Sequence, residues 1–145
     1  MKRIFLLILS LILISCGDNI PSGSDSDVKD LVLNICTEEI QNQLVQSAIM
    51  TELGMSPRMW NNPTYAELKK LNDENAKKVI DKVDKQLEDV DMELDAIRTL
   101  SIDEKIGKIT CSAELRFSNG NKLDIQYTAQ YTDDGKLYVS VYGLR

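Results

Sequence analysis

Cysteines at positions 16, 36 and 111 are the most reactive side chains in this 145-residue chain. A thiol can be acylated, oxidised to a disulfide, bound to a metal or used as a nucleophile, and its setting decides which. Composition narrows the choice, because the chain has no histidine. That excludes Ser-His-Asp and Cys-His catalysis, histidine-ligated zinc and a histidine pH switch, and removes the commonest general base. Thiolates at 36 and 111 alone would leave a zinc site two ligands short. The seven glycines are scattered rather than gathered into a phosphate-binding loop. Asp89, Asp91 and Glu93 imitate the start of a calcium loop, but Leu94 and Leu100 stand where that loop needs glycine and glutamate. With Asp95 they are expected to form a solvated acidic strand face. Ser112 and Ser140 join no serine–lysine motif. Neither an enzymatic activity nor a metal or cofactor is expected.

The setting of Cys16 is the most specific signal. Lys2 and Arg3 precede an eleven-residue apolar stretch, Ile4 to Ile14. A spanning helix needs roughly 20 apolar residues, so this is the length of a secretory signal. It closes on Leu13-Ile14-Ser15-Cys16, which resembles the lipobox of bacterial lipoproteins. The resemblance implies that residues 1–15 are a cleaved leader, that the Cys16 thiol receives a diacylglycerol, and that the new amine is acylated. Two or more acyl chains hold a protein stably to a membrane. Gly17, rather than aspartate, follows the cysteine. By the same resemblance that implies the bacterial outer membrane, facing the periplasm. Residues 16–27 carry little that can be buried, and their composition predicts a flexible tether reaching roughly 15–20 Å.

The remaining residues, 28–145, amount to a single domain. Without Lys2 and Arg3 the chain keeps 15 of its 17 basic residues against 23 acidic ones, a net of −8. Nucleic acid is disfavoured as a partner, because phosphate binding depends on clustered lysine and arginine.

Cys36 lies in a stretch where Val28, Leu31, Val32, Ile35, Ile40, Leu44, Ala48 and Ile49 recur at three- and four-residue steps, the pattern of an amphipathic helix. Ser26 or Asp27 can cap its start and Gly54 can end it. Cys111 lies in a strand pattern, with Ile109, Ala113, Leu115 and Phe117 alternating with polar residues. Both cysteines point towards a core in an exported protein. This favours a Cys36–Cys111 disulfide, worth about 4 kcal/mol in the chain-entropy treatment, over two buried free thiols.

Helical spacing returns over 64–71 and 73–90, as one helix or as two broken near Asn72-Asp73. Thr64 and Glu67 have capping-box spacing. From residue 91 the period becomes two, although IRTLSIDEKIG resists phasing and a turn is expected near 103–107. Alternation places Phe117 opposite Leu123 and Tyr131 opposite Leu137, leaving three-residue loops at 119–121 and 133–135. The expected fold is α+β, with N-terminal helices packed on one face of an antiparallel meander of about four strands. The outline is similar to cystatin-type folds. A lipobox, a cysteine in the first helix and the closing CSAEL…NG…IQYTAQYTDDGKLYVSV together resemble small uncharacterised bacterial lipoproteins, and that resemblance brings no activity.

By this register Tyr138 and Tyr142 face outward among small polar residues, a composition that suits protein binding. Trp60, between the helices, either plugs the core or offers an apolar contact. The expected function is a lipid-anchored, periplasm-facing module that binds a protein partner. The alternatives are an exclusion or immunity-type inhibitor of the envelope and a carrier of a small apolar ligand.

Overall fold

A computed structural model describes residues 20–144; the expected leader, 1–15, the expected lipidation site Cys16 and residues 17–19 lie outside the described residues. The first helix, α1, runs from Ser26 to Leu53 and ends where Gly54 turns left-handed at φ 63°. Glycine takes that turn without the strain a Cβ would add. Asp25 occupies the cap position, but its carboxylate accepts from the Ser22 N–H at 2.8 Å instead of from the helix. A 3-10 turn at Pro57–Trp60 follows. Then come α2 (Tyr65–Leu68) and α3 (Glu74–Leu87), two helices divided at Asp73, whose side chain caps α3 by accepting from the Ala76 N–H at 2.9 Å. The Thr64–Glu67 capping box forms in both directions.

Strands β1 (Met92–Asp103), β2 (Lys108–Phe117), β3 (Lys122–Tyr131) and β4 (Leu137–Tyr142) form one antiparallel sheet in sequence order. The fold is α+β, helices against a four-stranded meander. Ile109, Cys111, Ala113 and Leu115 of β2 and Ile125, Tyr127 and Ala129 of β3 are buried beneath Val28, Val32 and Cys36 of α1.

A second core joins Val45, Ala48 and Ile49 of α1 to Leu68 and to Ala76, Val79, Ile80 and Val83 of α3. Nine residues separate Cys36 from Val45, which is about 2.5 helical turns. The buried stripe therefore moves to nearly the opposite side of α1. One half of the helix lies on the sheet, and the other half carries α3.

The β3–β4 pairing sets Tyr131 opposite Leu137, as alternation predicts. The β2–β3 pairing differs from the sequence expectation by two residues: Leu123 lies opposite Leu115, not Phe117. The loop is Ser118-Asn119-Gly120, closed by the Phe117 N–H on the Asn121 carbonyl at 2.9 Å. Turn chemistry decides this. Gly120, at φ 88°, takes the left-handed third position, as Gly135 does at φ 79° in the next hairpin. A slip of two residues leaves every side chain on its own face, so alternation cannot detect it.

The tether expectation also needs correction for residues 20–27. Ile20 packs against the first core, and Pro21 and Gly23 are buried. The Tyr127 hydroxyl, itself buried, donates to the Gly23 carbonyl at 2.7 Å. A Cβ on residue 23 would fall 2.5 Å from Cys111 Sγ. Glycine is what admits the backbone here, and composition alone reports only its flexibility. Among the described residues no helix is long and apolar enough to cross a membrane.

Candidate functional site

The two core cysteines are free and buried. The expected disulfide is absent, and the geometry gives the reason. Cys111 Sγ sits beneath Gly23, just ahead of the start of α1, and lies 3.8 Å from Thr99 Oγ1. Cys36 is ten residues into the helix, about 15 Å along its axis at 1.5 Å per residue. A disulfide needs Cα atoms roughly 4.4–6.8 Å apart. Burial pushes the Cys36 thiol up to about 11, so it stays protonated and unreactive at neutral pH. Burial also raises the Tyr127 phenol, with Cys111 adding to the shift.

Trp60 is partly buried against the second core and closes the helical lobe, while its neighbour Met59 is exposed. Of the three residues singled out for partner binding, Tyr138 and Tyr142 are open, each 56 % exposed. They stand on β4, which pairs only with β3 and so forms one edge of the sheet.

The outer face is polar and arranged in rows across the strands. Ser101, Thr110, Thr128 and Ser140 form a line of hydroxyls. The next row is Arg98, Ser112, Gln126 and Tyr142. Asp95, Glu114 and Asp124 follow, then Glu93, Arg116 and Lys122. The acidic row is tied to the last one: Arg116 reaches Asp95 at 2.7 Å and Glu114 at 2.6 Å, and Lys122 reaches Glu114 at 2.8 Å. Hydrogen bonds from Lys122 and then Arg116 hold the Glu114 carboxyl below its ordinary range.

Two bulges shape β1. Ala96 and Ile97 stand where a regular strand has one residue, with Ala96 at φ 49°, so that Asp95 and Arg98 both land on the outer face. Beside this bulge a hollow of about 280 Å³ is lined by Arg98, Ser112, Glu114, Asp124 and Gln126. Leu100 is the extra residue of the second bulge.

At the opposite edge, a cleft of about 450 Å³ opens between α1 and β4, lined by Ile35, Glu39, Val141, Tyr142, Gly143 and Leu144. The Gln43 side chain donates to the Leu144 carbonyl at 2.5 Å and ties the end of the chain to α1. The β4 edge thus offers unpaired backbone groups, two phenols on one side and an apolar cleft on the other. These are the groups that take up an extended polypeptide. The phenols were legible in the sequence. The cleft was not, because it depends on where α1 crosses the sheet.

No protein-family model, curated protein or solved structure matches this chain.

Proposed function

We propose that the protein is a lipid-anchored module of the bacterial envelope, facing the periplasm, that binds another protein without catalysing a reaction. Its partner lays an extended segment along β4. The observation that carries this reading is the edge itself. Tyr138 and Tyr142 are each 56 % exposed on an edge strand, next to the α1–β4 cleft. An edge strand presents a row of unpaired N–H and C=O groups that accept an added strand, and flanking pockets then select side chains. Tyrosine supplies large contact area at little entropic cost. The lipobox at Leu13-Ile14-Ser15-Cys16 supports the membrane address.

The test is photo-crosslinking in living cells from position 138 and from position 142, with Cys16 intact and with Cys16→Ala. The expected result is one dominant protein adduct from both positions, lost when the acylated cysteine is replaced. Absence of an adduct from either position in anchored protein overturns the binding module. The reading as an inhibitor of something that enters the envelope only under attack then takes its place.

A further inference from the structure

We propose that the end of β1 and the turn that leads into β2 form a membrane-contacting site, which rests in the interfacial region of the bilayer that holds the lipid anchor. This inference rests on the lipid-anchored reading above. Leu100, Ile102 and Ile106 are 54 %, 55 % and 57 % exposed within seven consecutive residues. They are the only run of exposed large aliphatic residues among the described ones; Met50, Met59 and Leu71 stand apart from one another. Soluble surfaces seldom gather apolar groups in this way without a partner.

The place where the chain enters the fold identifies the partner. Ile20 lies at the same turn, its Cγ1 3.9 Å from the position a Cβ on Gly107 would occupy. Cys16 is four residues upstream. Four residues span at most about 14 Å however they run. An acylated Cys16 therefore brings the bilayer surface within reach of this turn.

The charges nearby permit the contact. Asp103 and Glu104 are balanced by Lys105 and Lys108. Long lysine side chains can extend their ammonium groups to the headgroups while their stems remain against apolar surface. The β3–β4 turn, with Asp133 and Asp134, lies at the same end of the sheet but two strands away, about 9–10 Å. That spacing lets the β1–β2 edge enter while the acidic turn stays in water.

The helical lobe points the other way. Trp60 packs against the half of α1 around Val45 and Ile49. Position 49 is 23 residues along the helix from Ser26, about 35 Å. The native tryptophan is thus a built-in reporter at the far end.

The experiment uses full-length acylated protein, reconstituted into vesicles of phosphatidylethanolamine and phosphatidylglycerol with or without acyl-chain-brominated phospholipid. Tryptophan emission is compared between the wild type and Ile106→Trp, with Leu100→Trp as a second variant at an equally exposed position. Mass spectrometry of the Cys16 peptide is run on the same preparations. A side chain about 5–10 Å deep in the interface is within range of the bromines. The emission of each variant should fall in the brominated vesicles relative to the unbrominated ones, while wild-type emission stays unchanged. Indifference of both variants on protein with an acylated Cys16 overturns the membrane-contacting turn and leaves the anchor standing. Quenching of wild-type Trp60 to the same degree overturns the orientation and the proposal with it. A Cys16 peptide without acyl chains overturns both the anchor and this inference.

Discussion

Replacing Gly23 with alanine places a methyl carbon 2.5 Å from Cys111 Sγ and 3.1 Å from the Tyr127 hydroxyl. Neither neighbour can give way cheaply. Cys111 and Tyr127 are both fully buried, and the hydroxyl is engaged with the Gly23 carbonyl. Overpacking a well-filled core costs roughly 1–3 kcal/mol. The backbone of residue 23 is not in the left-handed region, so alanine also returns about 0.4–1 kcal/mol by restricting the unfolded chain. The net expectation for Gly23→Ala is a loss of about 1–2 kcal/mol. With a urea slope of roughly 2 kcal/mol/M, the midpoint falls by about 0.5–1 M. The assay is urea unfolding followed by circular dichroism and by Trp60 fluorescence, which must coincide for the energies to hold. Cys111→Ala supplies the control. It removes the sulfur that the new methyl meets, so the double variant should recover about 1 kcal/mol relative to the sum of the singles. Tyr127→Phe should cost a further 1–3 kcal/mol or so, by leaving a buried carbonyl unpaired. Were Gly23 part of a free tether, alanine would act equally on the folded and unfolded chain. A neutral Gly23→Ala with no coupling to Cys111→Ala refutes the packing of residues 20–25 on the sheet.

Thr64→Ala removes the half of the capping box in which Thr64 Oγ1 accepts from the Glu67 N–H, while the residue-64 N–H can still donate to the Glu67 carboxylate; it should destabilise the protein by about 1 kcal/mol, with faster amide exchange in α2 than in the β2–β3 pair. Cys36 and Cys111 should resist alkylation at neutral pH in the folded protein and react fully once it is unfolded without reductant. Recovery of a disulfide-linked peptide pair from the folded protein would contradict the separation of the two thiols. The pH dependence follows from Glu114. Its pKa is lower in the folded protein than the ordinary 4.5, so the carboxylate contributes stability above that value and loses it as pH falls through the folded pKa. Glu114→Gln should flatten the acid limb of the stability–pH curve below about pH 4.5 and leave the neutral region little changed. Equal acid limbs in the two proteins would show that the Arg116–Glu114–Lys122 cluster is not felt in stability.

What the sequence disclosed depended on whether a local rule was strong enough to survive the tertiary fold. The β3–β4 hairpin was legible because alternation and Gly135 agree on one register. The β2–β3 hairpin misled by two residues because alternation was satisfied either way, and an asparagine was placed where Gly120 belongs. Applying to Gly120 the rule used for Gly135 would have corrected it. In β1, extra residues at Ala96–Ile97 and at Leu100 break the period of two, and for this reason IRTLSIDEKIG could not be phased. The helical period of α1 was visible, but not that its apolar residues belong to two stripes on different sides, because each stripe alone satisfies three- and four-residue spacing. Residues 20–25 hid most completely. Their composition is that of a linker, and the feature that folds them is the absence of a side chain at Gly23. Of the candidate site, Tyr138 and Tyr142 were readable from strand parity. The cleft beside them, the Leu100–Ile106 turn and the failure of Cys36 to meet Cys111 all depend on where α1 begins relative to the sheet.

That starting point also links the two proposals. Residues 20–25 are fixed over Cys111 and Tyr127, so on the proposed acylation of Cys16 the chain between anchor and fold shortens from the twelve residues of 16–27 to four. The reach falls from a coil of roughly 15–20 Å, free to turn in any direction, to a span of at most about 14 Å. A domain held this closely presents a restricted set of faces. Strand β4 runs away from the turn end, and its six residues cover about 20 Å. With the proposed anchor and turn contact, Tyr138 and Tyr142 would lie at increasing height above the leaflet. The segment they would recognise must itself stand close to the membrane. This argues for a partner that is integral to, or anchored in, the same envelope membrane, because a freely diffusing protein would gain little from a docking strand held at this height. In that proposed orientation the helical lobe, with exposed Met59 at its far end, would project into the aqueous space, out of reach of the bilayer.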